Sequence, residues 1–177
     1  RSASFLVERG KVTRTSWTFS QSSSDHFYGF GEKFNAFDQR GRRIENLVKD
    51  TGNSQGDDTY FCVPFFTCSA GYGLLVNSYL PVTFNMGNLQ ADRFTIDNPG
   101  PELELYLFDG STSLKDIFAS YAELTGKPAL LPEWASAPWM SRNTYQSEQD
   151  VLEKTAKARE LDLPASVLVV DAWGGGD

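Results

Sequence analysis

LTGKPALLPEWASAPWMSR, residues 124–142, followed by VLVVDAW at 167–173, decides how this chain is read. Gly126 and Pro128 stop a helix, and Pro128, Pro132 and Pro138 make the connection beyond it stiff and extended. Residues 135–141 then have strand composition. Ser147 and Asp150 open a second helix, with Val151, Leu152, Thr155, Ala158 and Leu161 along one side and Glu153, Lys154, Lys157 and Arg159 elsewhere. Leu163-Pro164 ends it, and 166–170 is a continuous apolar run of the kind that parallel sheets bury on both faces. Strand, helix, strand makes one right-handed crossover and reads as the opening of a β/α barrel. Two strands cannot close such a barrel.

Upstream, the joining helix is predicted over 114–124. Ser113 with Asp116 has capping-box spacing, and Leu114, Ile117, Tyr121 and Leu124 form an apolar stripe. Residues 1 to about 108 read as β structure, with candidate strands at 4–8, 15–19, 60–68, 72–76, 82–86, 93–96 and 103–108. Turn residues separate them: Ala70-Gly71, Asn88, and Asn98-Pro99-Gly100-Pro101. Short strands at this spacing favour a β-sandwich. Residues 26–58, rich in Gly, Asn and Asp, are predicted as one long irregular stretch, read either as a functional loop or as a cover for a sheet edge. The expected organisation is a sandwich over 1–110, a connecting helix and linker over 111–133, and the start of a (β/α)8 TIM barrel (β1-α1-β2) over 134–177.

The chain has 177 residues, 40% of them hydrophobic and 14% aromatic, enough for a substantial core. A net charge of -7 disfavours nucleic acid and anionic membrane as partners, because both require a concentrated basic footprint. The Arg40-Gly41-Arg42-Arg43 cluster is short and followed by Glu45. No apolar run approaches a membrane span. Cys62 and Cys68 fall on one face of a predicted strand, too far apart to bridge. Two reduced, buried thiols are expected, which suits a reducing compartment such as the cytoplasm. With His26 the only histidine, no metal site is expected, and no cofactor motif is present. Gly29-Phe30-Gly31 lacks the third glycine and the strand-to-helix context of a dinucleotide fingerprint. Arg1 in place of methionine suggests an excerpt of a longer protein, and Gly174-Gly175-Gly176 a flexible end.

Asp171 ends an apolar strand and precedes Ala172-Trp173. A carboxylate there can accept hydrogen bonds from hydroxyls beside an indole wall, or it can simply cap the following loop. Asp50, Asp57 and Asp58 lie in the long loop, where a carboxylate either contacts a ligand or is merely solvated. Asn143 and Tyr145 follow the first barrel strand.

Taken together, FYGFGEKFNAFDQRG (27–41), the later VPFF and YGLLVN runs, YAELTGKP (121–128), LPEWA with PWMSR, and LPASVLVVDAW resemble the family 31 glycoside hydrolases, the α-glucosidases and α-xylosidases among them. These segments occur in family order and span nearly the whole chain. The resemblance implies a β-sandwich packed against a (β/α)8 barrel, and an oligosaccharide or α-glycoside substrate cleaved with retention by two aspartates. Both aspartates are expected on later strands, in the remainder of the catalytic barrel. By the same resemblance, Asp50 matches the sandwich-loop aspartate beside the leaving-group subsite. Asn143 falls at the pocket-lining position after the first strand, and Asp171 matches the aspartate that binds the −1 sugar. Trp173 stands where the α-glucosidase branch commonly has tyrosine. The competing expectation is a non-catalytic carbohydrate-binding or scaffold β-sandwich module.

Overall fold

The structure, a computed structural model, describes residues 1–50, 52, 56–110, 113–142 and 144–170. Contacts divide the chain into two compact units, Arg1–Lys127 and Pro128–Asp177.

The first unit holds strands β1 (Ser2–Glu8), β2 (Lys11–Ser20), β3 (Phe27–Gly31), β4 (Arg43–Asn46), β5 (Cys62–Cys68), β6 (Tyr72–Asn77), β7 (Val82–Asn85), β8 (Arg93–Asn98) and β9 (Glu104–Asp109). They form two antiparallel sheets, ordered β1-β2-β8-β7-β4 and β3-β5-β6-β9. Alternation along each strand explains the layering. Phe66, Cys68, Leu74 and Val76 point from the four-stranded sheet into the same core as Ile44, Val82, Phe84, Phe94 and Ile96 from the five-stranded one. Phe66 sits at the centre, edge-on to Phe27, Phe84 and Phe94 and stacked on Phe30. This is the sandwich that the strand spacing implied.

The opposite face of the four-stranded sheet is apolar as well, through Phe65 and Phe108, and helix α1 (Leu114–Thr125) covers it. Ser113 caps the helix by accepting the Lys115 N–H at 3.1 Å, and Gly126 ends it. Of the predicted stripe, Ile117 is fully buried and Tyr121 stacks on Phe65, whereas Leu114 and Leu124 stay about half exposed. Ile117 also lies against Gly73 and Gly110, where a Cβ would come within 2.6 and 2.1 Å of its side chain.

Residues 26–58 depart from expectation, because they contain β3 and β4. The Gly-rich composition hid a real strand. Gly29, Phe30 and Gly31 all take positive φ (127°, 67° and 83°), making a bulge in the pairing of β3 with β5. Any Cβ at Gly29 would sit 2.7 Å from the Phe65 carbonyl oxygen, and at Gly31 2.3 Å from that of Phe61. The glycines let the backbones close up while Phe30 turns inward to full burial.

The second unit carries a 3-10 turn (Glu133–Ser136), β10 (Trp139–Arg142), α2 (Glu148–Glu160) and β11 (Val167–Val170). The strand predicted at 135–141 starts later, since the turn takes up its first residues before Pro138. Strands β10 and β11 pair in parallel, Trp139 opposite Val167 through Arg142 opposite Val170, with α2 as the crossover. Ser147 caps α2 by accepting the Asp150 N–H at 3.2 Å.

Candidate functional site

The loop leaving β4 carries the first candidate, Asp50, and its neighbours fix where that residue lies. Asp50 is exposed and accepts the Gly52 N–H through Oδ1 at 3.1 Å, a turn closed by the side chain itself. Just before it, Lys49 donates its backbone N–H to Thr59 O at 3.0 Å, and Val48 and Thr59 form a β-bridge. The Lys49 ammonium reaches Asp58 at 3.0 Å and Glu45 at 3.1 Å. Those two carboxylates hold its pKa above the ordinary lysine value. The residues entering and leaving this loop are therefore tied to each other, with Thr59 almost fully buried at the join.

A second loop, between β3 and β4, leans on the first. Lys33 donates to Asp57 O at 3.2 Å, and Asn35 donates from Nδ2 to Asp57 Oδ1 at 2.5 Å. The same Asn35 accepts, through Oδ1, the Ala36 N–H at 2.6 Å and the Gln39 side-chain amide at 2.9 Å. Gln39 is only 1% exposed, and its own N–H bonds to Phe27 O at 2.9 Å. Next to it, Asp38 accepts from His26 Nδ1 at 2.6 Å and from the N–H groups of Phe27 and Arg40. Arg40 donates onward to Ser22 O and Asp25 O. A cleft of about 460 Å³ opens along this loop, bordered by Lys33, Phe34, Asn35 and Phe37. Phe37 is 86% exposed, and its ring lies 4.9 Å from that of Tyr28. On the neighbouring flank, Phe61, Val63, Phe65 and Tyr121 line an apolar depression of about 760 Å³ with Glu32 at its rim.

In the second unit, Arg142 ends β10 and binds Asp150 of α2 at 3.0 Å while its guanidinium lies 5.5 Å from the Tyr145 ring centroid. Tyr145 is thus held at the end of β10 in a half-buried position. The carboxyl of Asp150 lies below the ordinary value, first because it accepts the Gln146 N–H and then because Arg142 and Lys154 are near. Asn143, Asp171 and Trp173 lie outside the described residues. Cys62 is half-buried rather than buried, with Lys33 Nζ at 3.9 Å from its sulfur, while burial in the core pushes the Cys68 thiol up. No cluster of metal-ligating side chains occurs among the described residues.

The sequence does not single out Lys33, Asn35 and Gln39, which the fold places beside the Asp50 loop. Nothing in their spacing announces a role, because each acts through an amide or ammonium bond that only the folded loops bring into reach. The arrangement as a whole offers an exposed carboxylate on a pinned loop, with exposed aromatic rings on the next loop. Such groups can accept from hydroxyls and stack on an apolar ring face.

Residues 7–85 match the Glycosyl hydrolase 31 N-terminal galactose mutarotase-like domain. The chain is 35% identical over 159 residues to the isomaltosyltransferase of Sporosarcina globispora, which covers 88% of this chain and 14% of that protein. It is 30% identical over 154 residues to an alpha-xylosidase of Emericella nidulans, covering 86% of this chain and 20% of the relative. The cycloalternan-forming enzyme from Listeria monocytogenes, solved with a pentasaccharide substrate, superposes with a TM-score of 0.85 at 32% identity. That superposition covers 91% of this chain and 16% of the Listeria protein. The chain thus spans about a seventh to a fifth of these relatives' length.

Proposed function

Since the chain belongs to glycoside hydrolase family 31, we propose that it is the substrate-contacting N-terminal part of a retaining α-glycosidase acting on terminal α-linked sugars. The observation that carries this reading is order. A matched sandwich is followed by a parallel β10-α2-β11 unit whose second strand runs directly into Asp171, the position where a barrel strand presents a side chain to substrate. In this reading β10, α2 and β11 open a (β/α)8 barrel, and the remainder of that barrel supplies the nucleophile and the general acid/base. The sandwich contributes Asp50 beside the leaving group. Asp171 accepts hydroxyls of the −1 sugar, Trp173 offers its indole as an apolar wall, and Asn143 lines the pocket after β10.

Retention divides the reaction between these parts. A carboxylate nucleophile forms a glycosyl-enzyme intermediate, and a second carboxylic acid protonates the leaving oxygen and later activates water. Asp50, Asp171, Trp173 and Asn143 take no part in bond breaking. They orient the sugar, and a transferase among the relatives fits the same division, since the acceptor only replaces water in the second step. This chain alone is expected to be inactive.

The test compares this chain with the full-length protein on aryl α-glucoside, α-xyloside and α-galactoside. Turnover by the full-length protein alone is the expected result. Within it, Asp171→Ala should lower kcat/KM by about 10- to 100-fold, the loss of a hydrogen bond to a charged group worth about 1.5–3 kcal/mol. A folded full-length protein that cleaves none of the three sugars would overturn the proposal, and unchanged kinetics in Asp171→Ala would remove that residue from it.

A further inference from the structure

Among the described residues Asp50 makes no direct bond to a strand of the sandwich, yet a continuous chain of polar contacts ties its loop to buried structure. Among the described residues, Asp50 bonds within its own turn, to Gly52. Lys49 beside it is fixed to Thr59 through the backbone and to Asp58 through its side chain. Asp57, one residue further, is gripped by Asn35 Nδ2 and by Lys33, which takes its carbonyl oxygen. Asn35 cannot swing freely, because its Oδ1 already accepts from Ala36 N–H and from the side chain of Gln39. Gln39 is buried and bonded to Phe27 O in β3. The path thus runs from β3 through Gln39, Asn35 and Asp57 to Asp58, which holds Lys49, the residue before Asp50.

We propose that Asn35 is a positioning residue for Asp50, acting through Asp57; this rests on the reading of Asp50 as a sugar-contacting carboxylate. Asn35 suits the task chemically because it uses both ends of its amide. The carbonyl end takes its orientation from the buried glutamine, and the NH2 end hands that orientation to a carboxylate across the gap between loops. Aspartate at this position would keep the acceptor end and turn the other end into a repulsive contact with Asp57. Such second contacts decide activity because a displacement of about 1 Å in a substrate-orienting group costs about 100-fold in rate.

The experiment uses three variants: Asn35→Asp, the exchanged pair Asn35→Asp with Asp57→Asn, and Asp50→Ala. Circular dichroism first establishes that each is folded. Amide hydrogen exchange in this chain then reads the Lys49 and Gly52 N–H groups, and steady-state kinetics in the full-length protein uses the aryl α-glycoside that it turns over fastest. In Asn35→Asp, exchange at both amides should speed up about tenfold, and KM should rise about tenfold with a smaller change in kcat. The exchanged pair restores a donor facing an acceptor and should recover both readouts, which a merely structural defect at Asn35 would not do. Unchanged exchange in Asn35→Asp overturns the proposal. So does faster exchange with unchanged KM when Asp50→Ala raises KM. If Asp50→Ala itself leaves kinetics unchanged, the sugar-contact reading of Asp50 fails instead, and with it the premise of the proposal.

Discussion

The sandwich and the β10-α2-β11 unit are built from similar apolar residues, but they bury them to different depths. In the sandwich Phe27, Phe30, Phe66 and Phe84 are wholly shielded from solvent. In the second unit Trp139, Leu152, Leu161, Leu163 and Val170 are each more than half exposed, and Ala158 is its only buried apolar residue among the described ones. The difference follows from layers. Two sheets facing each other hide both inner faces, and α1 hides a third, whereas two parallel strands under one helix leave most of their surface uncovered. One region contains its own reason to fold. The other is a single parallel strand-helix-strand crossover whose described apolar side chains stay largely uncovered.

The largest expected effect comes from separating the two. Residues 1–127 alone should give a β-type circular dichroism spectrum and a cooperative urea transition. Residues 128–177 alone should give neither, because their buried apolar area cannot offset the entropy of ordering the chain. A cooperative transition in 128–177 would break the comparison.

Single side chains should sharpen it. Phe66→Ala leaves a cavity among four aromatic rings and should cost about 3–5 kcal/mol in the sandwich transition. Val169→Ala, at a half-buried strand position of the other unit, should leave that transition where it is. Gly73→Ala falls between them. Its new methyl group would lie 2.6 Å from Ile117 Cγ2 and 3.2 Å from the Phe65 ring, so α1 must shift off the sheet at a cost of about 1–3 kcal/mol. Hydrogen exchange should show the loss in α1 before it shows in the inner core.

The same contrast governs how much of the molecule could be read from its sequence. Wherever the apolar period is unbroken the elements were legible: β5, β6, β8 and β9 by alternation, α1 and α2 by their serine caps and stripes. Strand β3 was not, because its pattern is interrupted by two glycines that exist to let β5 approach, and those same glycines read as loop. Strand β4 was short and lay between charged residues, so its only apolar member, Ile44, gave no periodicity. Of the site, Asp50 was visible through the family resemblance, and the turn it forms with Gly52 was not. The contacts of Asn35 and Gln39 were invisible, since they depend on which loop lies next to which in space.

The smallest expected effect is electrostatic, and it asks whether the two units share one transition. Each holds a depressed carboxylate. Partial burial pushes Asp38 up, but the hydrogen bond from His26 and the N–H groups of Arg40 and Phe27 outweigh it and hold the carboxyl below its usual range. Because the folded value is below the unfolded one, near 4 for aspartate, this contribution is fully present above about pH 4 and is lost as pH falls through the folded value. The side chain is over a third exposed, so solvent screens the effect and it should be modest. In Asp38→Asn the gap between sandwich urea midpoints measured at pH 7 and pH 3 should narrow, since one acid-sensitive contribution is gone. Asp150 has the same sign of shift, but it serves the start of α2, where it accepts the Gln146 N–H. Asp150→Asn should therefore loosen exchange at the first turn of α2 and leave the sandwich midpoint unmoved at both pH values. A shift of the sandwich midpoint in Asp150→Asn would mean that the sandwich draws stability from the β10-α2-β11 unit after all, and the contrast between a self-sufficient unit and a dependent one would have to be redrawn as a single cooperative whole.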